Sequence, residues 1–238
     1  MPDTRARSAR DHSLLTPDTF VRAALPGMSK AVAIVHAAPA QGAGFTEYTV
    51  EFDAGGNFTS GPDEMFLYAV AGTIEVGAHN LKPDQYTYIP PGSACAIRSA
   101  QSARAVVIEK PYLSIGEDAP AFFVGNAEAV DPVPMMGDET VGIQTLLPAD
   151  FGFDFAVNIM TFQPGATLPM VEAHVMEHGL LMLAGGGIYR LGENWYPVTA
   201  GDFIWMAPFC PQWFGALGKT PAKYLIYKDW NRHPLQSK

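Results

Sequence analysis

Only two of the 238 residues are cysteine, and Cys95 and Cys210 lie far apart in sequence, each beside a turn. That scarcity excludes a disulfide scaffold and favours a reducing, cytoplasmic compartment with two free thiols. Basic residues are also few, 15 Lys and Arg against 24 Asp and Glu, for a formal net charge of -9. With no basic stripe to neutralise phosphates, nucleic acid is excluded as a partner. Long apolar runs are missing: nothing approaches the roughly 18 consecutive apolar residues of a membrane span, so no membrane partner is expected. The Arg5, Arg7, Arg10 cluster precedes no apolar segment, which argues against an export signal. Long amphipathic helical patterns are absent as well.

Turns and short strands take their place. The 23 Gly and 20 Pro residues, with 11% aromatics, punctuate the chain into short segments, and their order repeats. Gly55-Gly56-Asn57, then Met65 to Gly72, then Pro83-Asp84 to Pro91 match Pro164-Gly165-Ala166, then His178 to Gly185, then Gly201-Asp202 to Pro208. Such internal similarity indicates a duplicated unit. Tyr86 with Tyr88 and Phe203 with Trp205 alternate as in strands with one face inward. The fold class is therefore all-β, two barrel or jelly-roll units that leave few open strand edges. The expected division is an N-terminal extension over 1–39, a first barrel over 40–112, a connector over 113–144 and a second barrel over 145–238. The connector is apolar at Phe122, Phe123, Met135 and Met136, and we expect a homo-oligomer built from barrel faces around Phe122 and Phe123.

Chemistry concentrates in the second unit. Glu172, His174 and His178 stand at relative positions 0, 2 and 6, and alternate residues of a strand share a face, so the three can converge in one interior. A carboxylate and two imidazoles suit a divalent transition metal. Aligning Gly72 with Gly185 puts Thr59, Gly61 and Met65 at the corresponding places of the first unit. Aligning Pro91 with Pro208 puts Cys95 where Gln212 stands. That set does not suit such an ion, so one metal per chain is expected, in the second unit. Tyr224, Ile226 and Lys228 share a strand face, and an inward Lys in an apolar barrel needs a partner. His36 and His233 look like turn or surface residues, and Arg190, Trp195, Trp213 and Trp230 carry no individual signal.

The second unit resembles the cupin pattern, with Glu172, His178 and Gln212 standing where His, a carboxylate and His are usual. Residues 165–233 resemble more closely the (S)-ureidoglycine aminohydrolase family, manganese-dependent bicupins of allantoin and allantoate breakdown. The resemblance is carried by Glu172 to Gly179, Asn194 to Val198, Gly201 to Met206, Pro211 to Thr220 and Lys223 to Pro234. It extends to the first half through Leu14 to Asp18 and Gly42 to Tyr48. It implies two tandem cupin barrels and Mn²⁺ held by Glu172, His174, His178 and Gln212, with Tyr189, Tyr224 and Lys228 at the substrate. It also implies hydrolysis of (S)-ureidoglycine to (S)-ureidoglycolate and ammonia, in which Glu172 is a candidate for proton management. Competing readings are another metal-dependent cupin enzyme, a dioxygenase or isomerase, and a non-catalytic bicupin that binds a small molecule. A dioxygenase would more naturally present three neutral His, and a mere binder would not need four ligands in one unit alone.

Overall fold

The computed structural model describes residues 3–116 and 118–232. Among them, helical structure is limited to three short 3-10 turns, Pro17–Thr19, Pro39–Gln41 and Ala127–Ala129. The strands are β1 Arg7–Ser8, β2 His12–Leu15, β3 Ser29–Ala37, β4 Thr46–Thr59, β5 Glu64–Ala71, β6 Ile74–Val76, β7 His79–Leu81, β8 Gln85–Ile89, β9 Ala96–Ser99 and β10 Ala103–Lys110. They continue as β11 Phe123–Asn126, β12 Val133–Met135, β13 Asp138–Thr145, β14 Phe155–Phe162, β15 His178–Ala184, β16 Gly186–Leu191, β17 Asn194–Thr199, β18 Phe203–Met206, β19 Gln212–Ala216 and β20 Ala222–Asp229.

Two compact units result, one from Val21 to Ala129, the other combining the segment up to Phe20 with the chain from Val130 onward. The boundaries expected from sequence shift accordingly. The N-terminal extension divides: β2 pairs with β18 of the second unit, Leu15 opposite Phe203 and His12 opposite Met206. β3 instead lines the edge of β4 in the first. The connector divides too, β11 pairing with β8 and β13 with β14. The physical reason is the same each time, because an edge strand presents unpaired backbone groups that a neighbouring segment can satisfy.

The first unit is one sheet in the order β11-β8-β5-β10-β4-β9-β6-β7, with β3 on β4. Its core gathers Tyr48, Val50, Met65, Leu67, Ile89, Ala105 and Val107. The second unit has a sheet in the order β1-β2-β18-β15-β20-β14-β13-β12 and a smaller one, β17-β16-β19. Its core gathers Phe162, Leu180, Met182, Ile204, Met206, Phe214 and Tyr224. Each fully buried Leu, Ile, Met or Phe contributes roughly 1.5–3 kcal/mol, so these layers dominate the stability of the barrels.

The aromatic alternation is real, but its direction differs from expectation. In β18 the barrel core takes Ile204 and Met206, while Phe203 and Trp205 are buried as well, on the opposite face. In β8 the core takes Ile89, and Tyr86 and Tyr88 stack instead with Phe66 and Phe123, at 5.5 and 6.1 Å between centroids. These strands bury both faces, so alternation sorts aliphatic from aromatic surroundings and not inside from outside.

The duplication is visible at its turns. Gly72 and Gly185 close the equivalent strands β5 and β15 with φ of 73° and 65°. A Cβ at Gly72 would lie 2.6 Å from the Ser102 carbonyl oxygen, and one at Gly185 would lie 2.4 Å from that of Pro221. Glycine is needed at both places for conformation and for space.

Candidate metal centre

The ligand set predicted from sequence comes together in the second barrel by a route that strand alternation did not anticipate. His178 opens β15, but residues 173–177 are irregular and Glu172 lies outside any named strand. The segment before it is zipped to β19: Ala216 N donates to Ala166 O, Leu168 N to Phe214 O and the Trp213 indole N–H to Leu168 O, each at 2.9 Å. The zipper ends in a two-way bridge at 2.8 Å between the backbones of Glu172 and Gln212. His174 is then pinned by its carbonyl, which accepts from Phe209 N at 2.6 Å. Gln212 thus acts twice, as the anchor of the loop and as a side chain facing the same space.

Glu172 Oε2 and His174 Nε2 are 3.1 Å apart, and the His174 and His178 rings meet edge to face at 5.1 Å. The Gln212 Oε1 accepts from the Tyr189 hydroxyl at 3.1 Å. All four residues line a cavity of about 250 Å³ with Tyr189, Tyr224, Asn158, Lys228 and Trp230. Burial, with His174 and Lys228 nearby, pushes the His178 imidazolium down to about 3, so at neutral pH this ring offers a lone pair. A neutral imidazole, a second imidazole, a carboxylate and an amide oxygen fit a divalent cation that accepts mixed nitrogen and oxygen donors.

The remaining expected residues fall on the same cavity. Lys228 sits beside His178 across β15 and β20. Burial lowers its pKa, an effect that the negative charge of Glu172 opposes. Its ammonium has no hydrogen-bond acceptor among the described residues and rests 4.3 Å from the centroid of the Trp230 ring, a cation–π contact. Tyr224 is 1% exposed, and its hydroxyl meets only the weakly accepting Met160 sulfur, at 3.3 Å. Burial raises the pKa of both Tyr189 and Tyr224, so both hydroxyls stay protonated as donors. Tyr189 already spends its proton on Gln212, which makes it a support of that side chain, whereas Tyr224 retains its donor capacity for a ligand.

Other histidines serve structure. His36, expected at the surface, is 1% exposed on β3 and bonds the Thr49 hydroxyl through Nε2 at 2.8 Å. His233 lies outside the described residues. Asp11, His12 and Cys210 bring donor atoms within 4.8 Å of one another, a grouping that sequence spacing did not reveal. There the His12 ring is engaged at both nitrogens, by Asp11 Oδ1 and by the Tyr196 hydroxyl, each at 2.9 Å. This is a hydrogen-bonded brace that ties β2 to β17. Phe122 and Phe123 are also spent inside their own unit, Phe122 on His79 at 5.3 Å and Phe123 on Tyr88. Both remain half-buried.

Sequence reasoning missed two residues of the cavity wall, Asn158 and Trp230. Cross-strand register sets Asn158 against Ile226, whereas Trp230 follows Lys228 by two residues within the Lys223 to Pro234 segment and was passed over because it carried no individual signal.

Comparison with known proteins places the chain in a family. A family model described as the cupin domain matches residues 158–227. The chain is 39% identical to the (S)-ureidoglycine aminohydrolase of Arabidopsis thaliana, over 98% of this chain and 80% of that protein. It is 35% identical to the Escherichia coli (strain K12) protein of the same name, over 92% and 88%. A solved structure of a putative glyoxylate-induced protein from Pseudomonas aeruginosa superposes with a TM-score of 0.90 and 32% identity, over 99% of this chain and 94% of that one. With its cupin barrels and relatives matched over nearly its whole length, the chain belongs to the (S)-ureidoglycine aminohydrolase family.

Proposed function

We propose that this chain hydrolyses (S)-ureidoglycine to (S)-ureidoglycolate and ammonia, with Glu172, His174, His178 and Gln212 holding Mn²⁺. The observation that carries the reading is the joint placement of this donor set, the Lys228 ammonium and the Tyr224 hydroxyl on one cavity of about 250 Å³. The substrate bears a carboxylate, an amine and a ureido group on one carbon. Water supplies the oxygen of the new C–O bond, the C–N bond to the amine breaks, and the amine leaves as ammonia. A divalent cation bound here supplies Lewis acidity and a template for orientation, and the oxygen-containing donor set favours Mn²⁺ over softer ions.

The protein's own groups have separate tasks. Lys228, a cation without a hydrogen-bond acceptor among the described residues, receives the substrate carboxylate and fixes the reacting carbon. Tyr224 donates a hydrogen bond from a site that excludes competing water. Glu172, 3.1 Å from His174, is placed to hold a proton released from the attacking water and to return it to the departing amine. Tyr189 keeps Gln212 in orientation. Incubating the Mn²⁺-loaded protein with freshly generated (S)-ureidoglycine tests the reading. Ammonia should appear faster than the spontaneous rate, and release at the spontaneous rate would sink it.

Both cysteines are free thiols, which supports a reducing, cytoplasmic setting. No helix among the described residues is long and apolar enough to cross a membrane. We also infer self-association, carried by exposed apolar side chains such as Val21, Leu113, Ile115 and Met136 together with the half-buried Phe122 and Phe123. Light scattering should give a mass above the 25.6 kDa of one chain.

A further inference from the structure

On β14, Met160 and Phe162 belong to the barrel core, and strand alternation turns Asn158 to the same side. Asn158 faces Ile226 on β20 and Thr145 on β13, lines the cavity of the metal centre and is 9% exposed. Its Oδ1 is buried without a hydrogen-bond partner. A buried amide of this kind weakens a fold, and buried polar side chains normally find partners. A Leu or Met, such as the neighbouring cavity positions carry, would serve the barrel better. The cost is explained if the missing partner arrives with the ligand.

The amide's chemistry identifies that partner. A carboxamide offers an acceptor and two donors in one plane, matching a neutral planar group that itself has N–H and C=O. Lys228 faces Ala156, two residues from Asn158 on β14, so the two residues are offset by roughly 6.6 Å along the strand and both line the one cavity. A small molecule with a carboxylate at one end and a ureido group at the other spans that interval. Met135, Ile143 and Ile226 also line the cavity and keep water from competing for the amide.

We propose that Asn158 reads the ureido end of the substrate, while Lys228 reads its carboxylate. Asn158 is thus a specificity residue of the hydrolase reading above, on which this assignment rests. Its role is separable from that of the metal ligands, because it sits on β14, away from the loop and strands that carry them.

The test uses metal-loaded full-length protein and two inert carboxylates. N-carbamoylglycine has the carboxylate and the ureido group but no leaving amine; butyrate has the carboxylate alone. Calorimetric titration of wild type, Asn158→Leu and Asn158→Ala should show N-carbamoylglycine binding weakened about tenfold or more in both variants. Butyrate should be unaffected, and metal content unchanged. Asn158→Leu should unfold at the same temperature as wild type or higher, since it removes an unpartnered polar atom without leaving a large void. Asn158→Ala keeps the assay usable if the Leu side chain does not fit. Equal binding of N-carbamoylglycine by variants and wild type would overturn the assignment, as would an equal loss for butyrate. An Asn158-dependent wild type that releases no ammonia from (S)-ureidoglycine would instead keep the recognition and sink the hydrolase reading.

Discussion

The two barrels place different residues in one register. In the first, Met65 lies opposite Ile89 on β8 and Glu109 on β10. In the second, His178 lies opposite Met206 on β18 and Lys228 on β20. One layer deeper, Tyr48 faces Val107 where Asn158 faces Ile226. At these positions the first barrel closes its polar groups on each other: the Tyr48 hydroxyl donates to Glu109 at 3.1 Å, and Met65 fills the layer at 0% exposure. The second leaves an ammonium without an acceptor and an amide oxygen without a donor at the matching places. An unpaired interior group does not by itself make a site, since Glu47 Oε2 of the first unit is also buried without a partner among the described residues. The second barrel differs because its open groups share one cavity with Glu172, His174, His178 and Gln212. Charged side chains and aromatic hydroxyls would not separate the two, since both interiors hold them; the Glu172, His174, His178 and Gln212 set does.

The largest expected effect breaks the comparison at its centre. His178→Ala should weaken metal binding by at least about 100-fold and abolish ammonia release, with little loss of fold. Its counterpart, Met65→Ala, should leave metal content and turnover alone but cost about 2–5 kcal/mol of stability through the cavity it opens. Metal analysis and denaturant titration on both variants check this, and metal loss from Met65→Ala would contradict the division of labour. The second effect concerns the layer's charged residue. Lys228→Met should keep the metal and lower kcat/KM about tenfold or more, roughly 1.4 kcal/mol of transition-state stabilisation, whereas Glu109→Gln should leave turnover unchanged. Wild-type kinetics for Lys228→Met would place the lysine outside the site, and a change confined to KM would assign it to binding alone.

Stability against pH sharpens the same contrast, because the first unit buries titratable groups for structural reasons. Burial raises Glu47 from 4.5 to about 8 and lowers His36 from 6.5 to about 3. For Glu47 the folded state holds the proton more tightly. Its contribution is full below pH 4.5 and is lost as pH rises toward 8. For His36 the unfolded state holds it more tightly, so stability is full above pH 6.5 and is lost as pH falls toward 3. Between pH 4.5 and 6.5 the Glu47 and His36 slopes oppose each other, while His178, lowered likewise to about 3, adds to the His36 side in the metal-free protein. Stability therefore peaks near pH 6.5 and falls on either side, on the order of 1 kcal/mol per pH unit. Denaturation midpoints from pH 4 to 8 should show this, and Glu47→Gln should flatten the alkaline limb. An unchanged limb in that variant would remove Glu47 as its source.

Much of this was legible in the chain. The repeated Gly and Asp-turn order announces two barrels because turns with positive φ demand glycine at Gly72 and Gly185 alike. The Glu172, His174, His178 spacing points to the candidate site because few other uses bring a carboxylate and two imidazoles so close. The route of convergence was not legible. Residues 173–177 are irregular, and Glu172 is placed by a backbone bridge to Gln212, forty residues on, which no local pattern encodes. Asn158 was hidden for a related reason: one amide in the apolar run Phe155–Phe162 acquires meaning only when register sets it against Ile226. The domain limits shifted because β2 and β3 are edge partners, and pairing over such separations leaves no mark in composition.

The smallest effect tests how far the second barrel's open groups depend on closed ones behind them. Tyr189 is 1% exposed and donates to Gln212 Oε1 at 3.1 Å, so it orients a ligand oxygen without needing to touch substrate. Tyr189→Phe keeps the ring and its packing on Phe214, 5.5 Å away, and deletes only the donor. A hydrogen bond of this kind is worth about 0.5–1.5 kcal/mol net, so metal affinity should fall about threefold to tenfold. Turnover at saturating metal should recover nearly to wild type. A Tyr189 hydroxyl bound to substrate would behave differently, since added metal would not restore kcat/KM. Titrating Mn²⁺ while following both metal occupancy and ammonia release separates the two. If occupancy is unchanged and kcat/KM stays low at every metal concentration, Tyr189 belongs to the substrate's surroundings and not to those of Gln212.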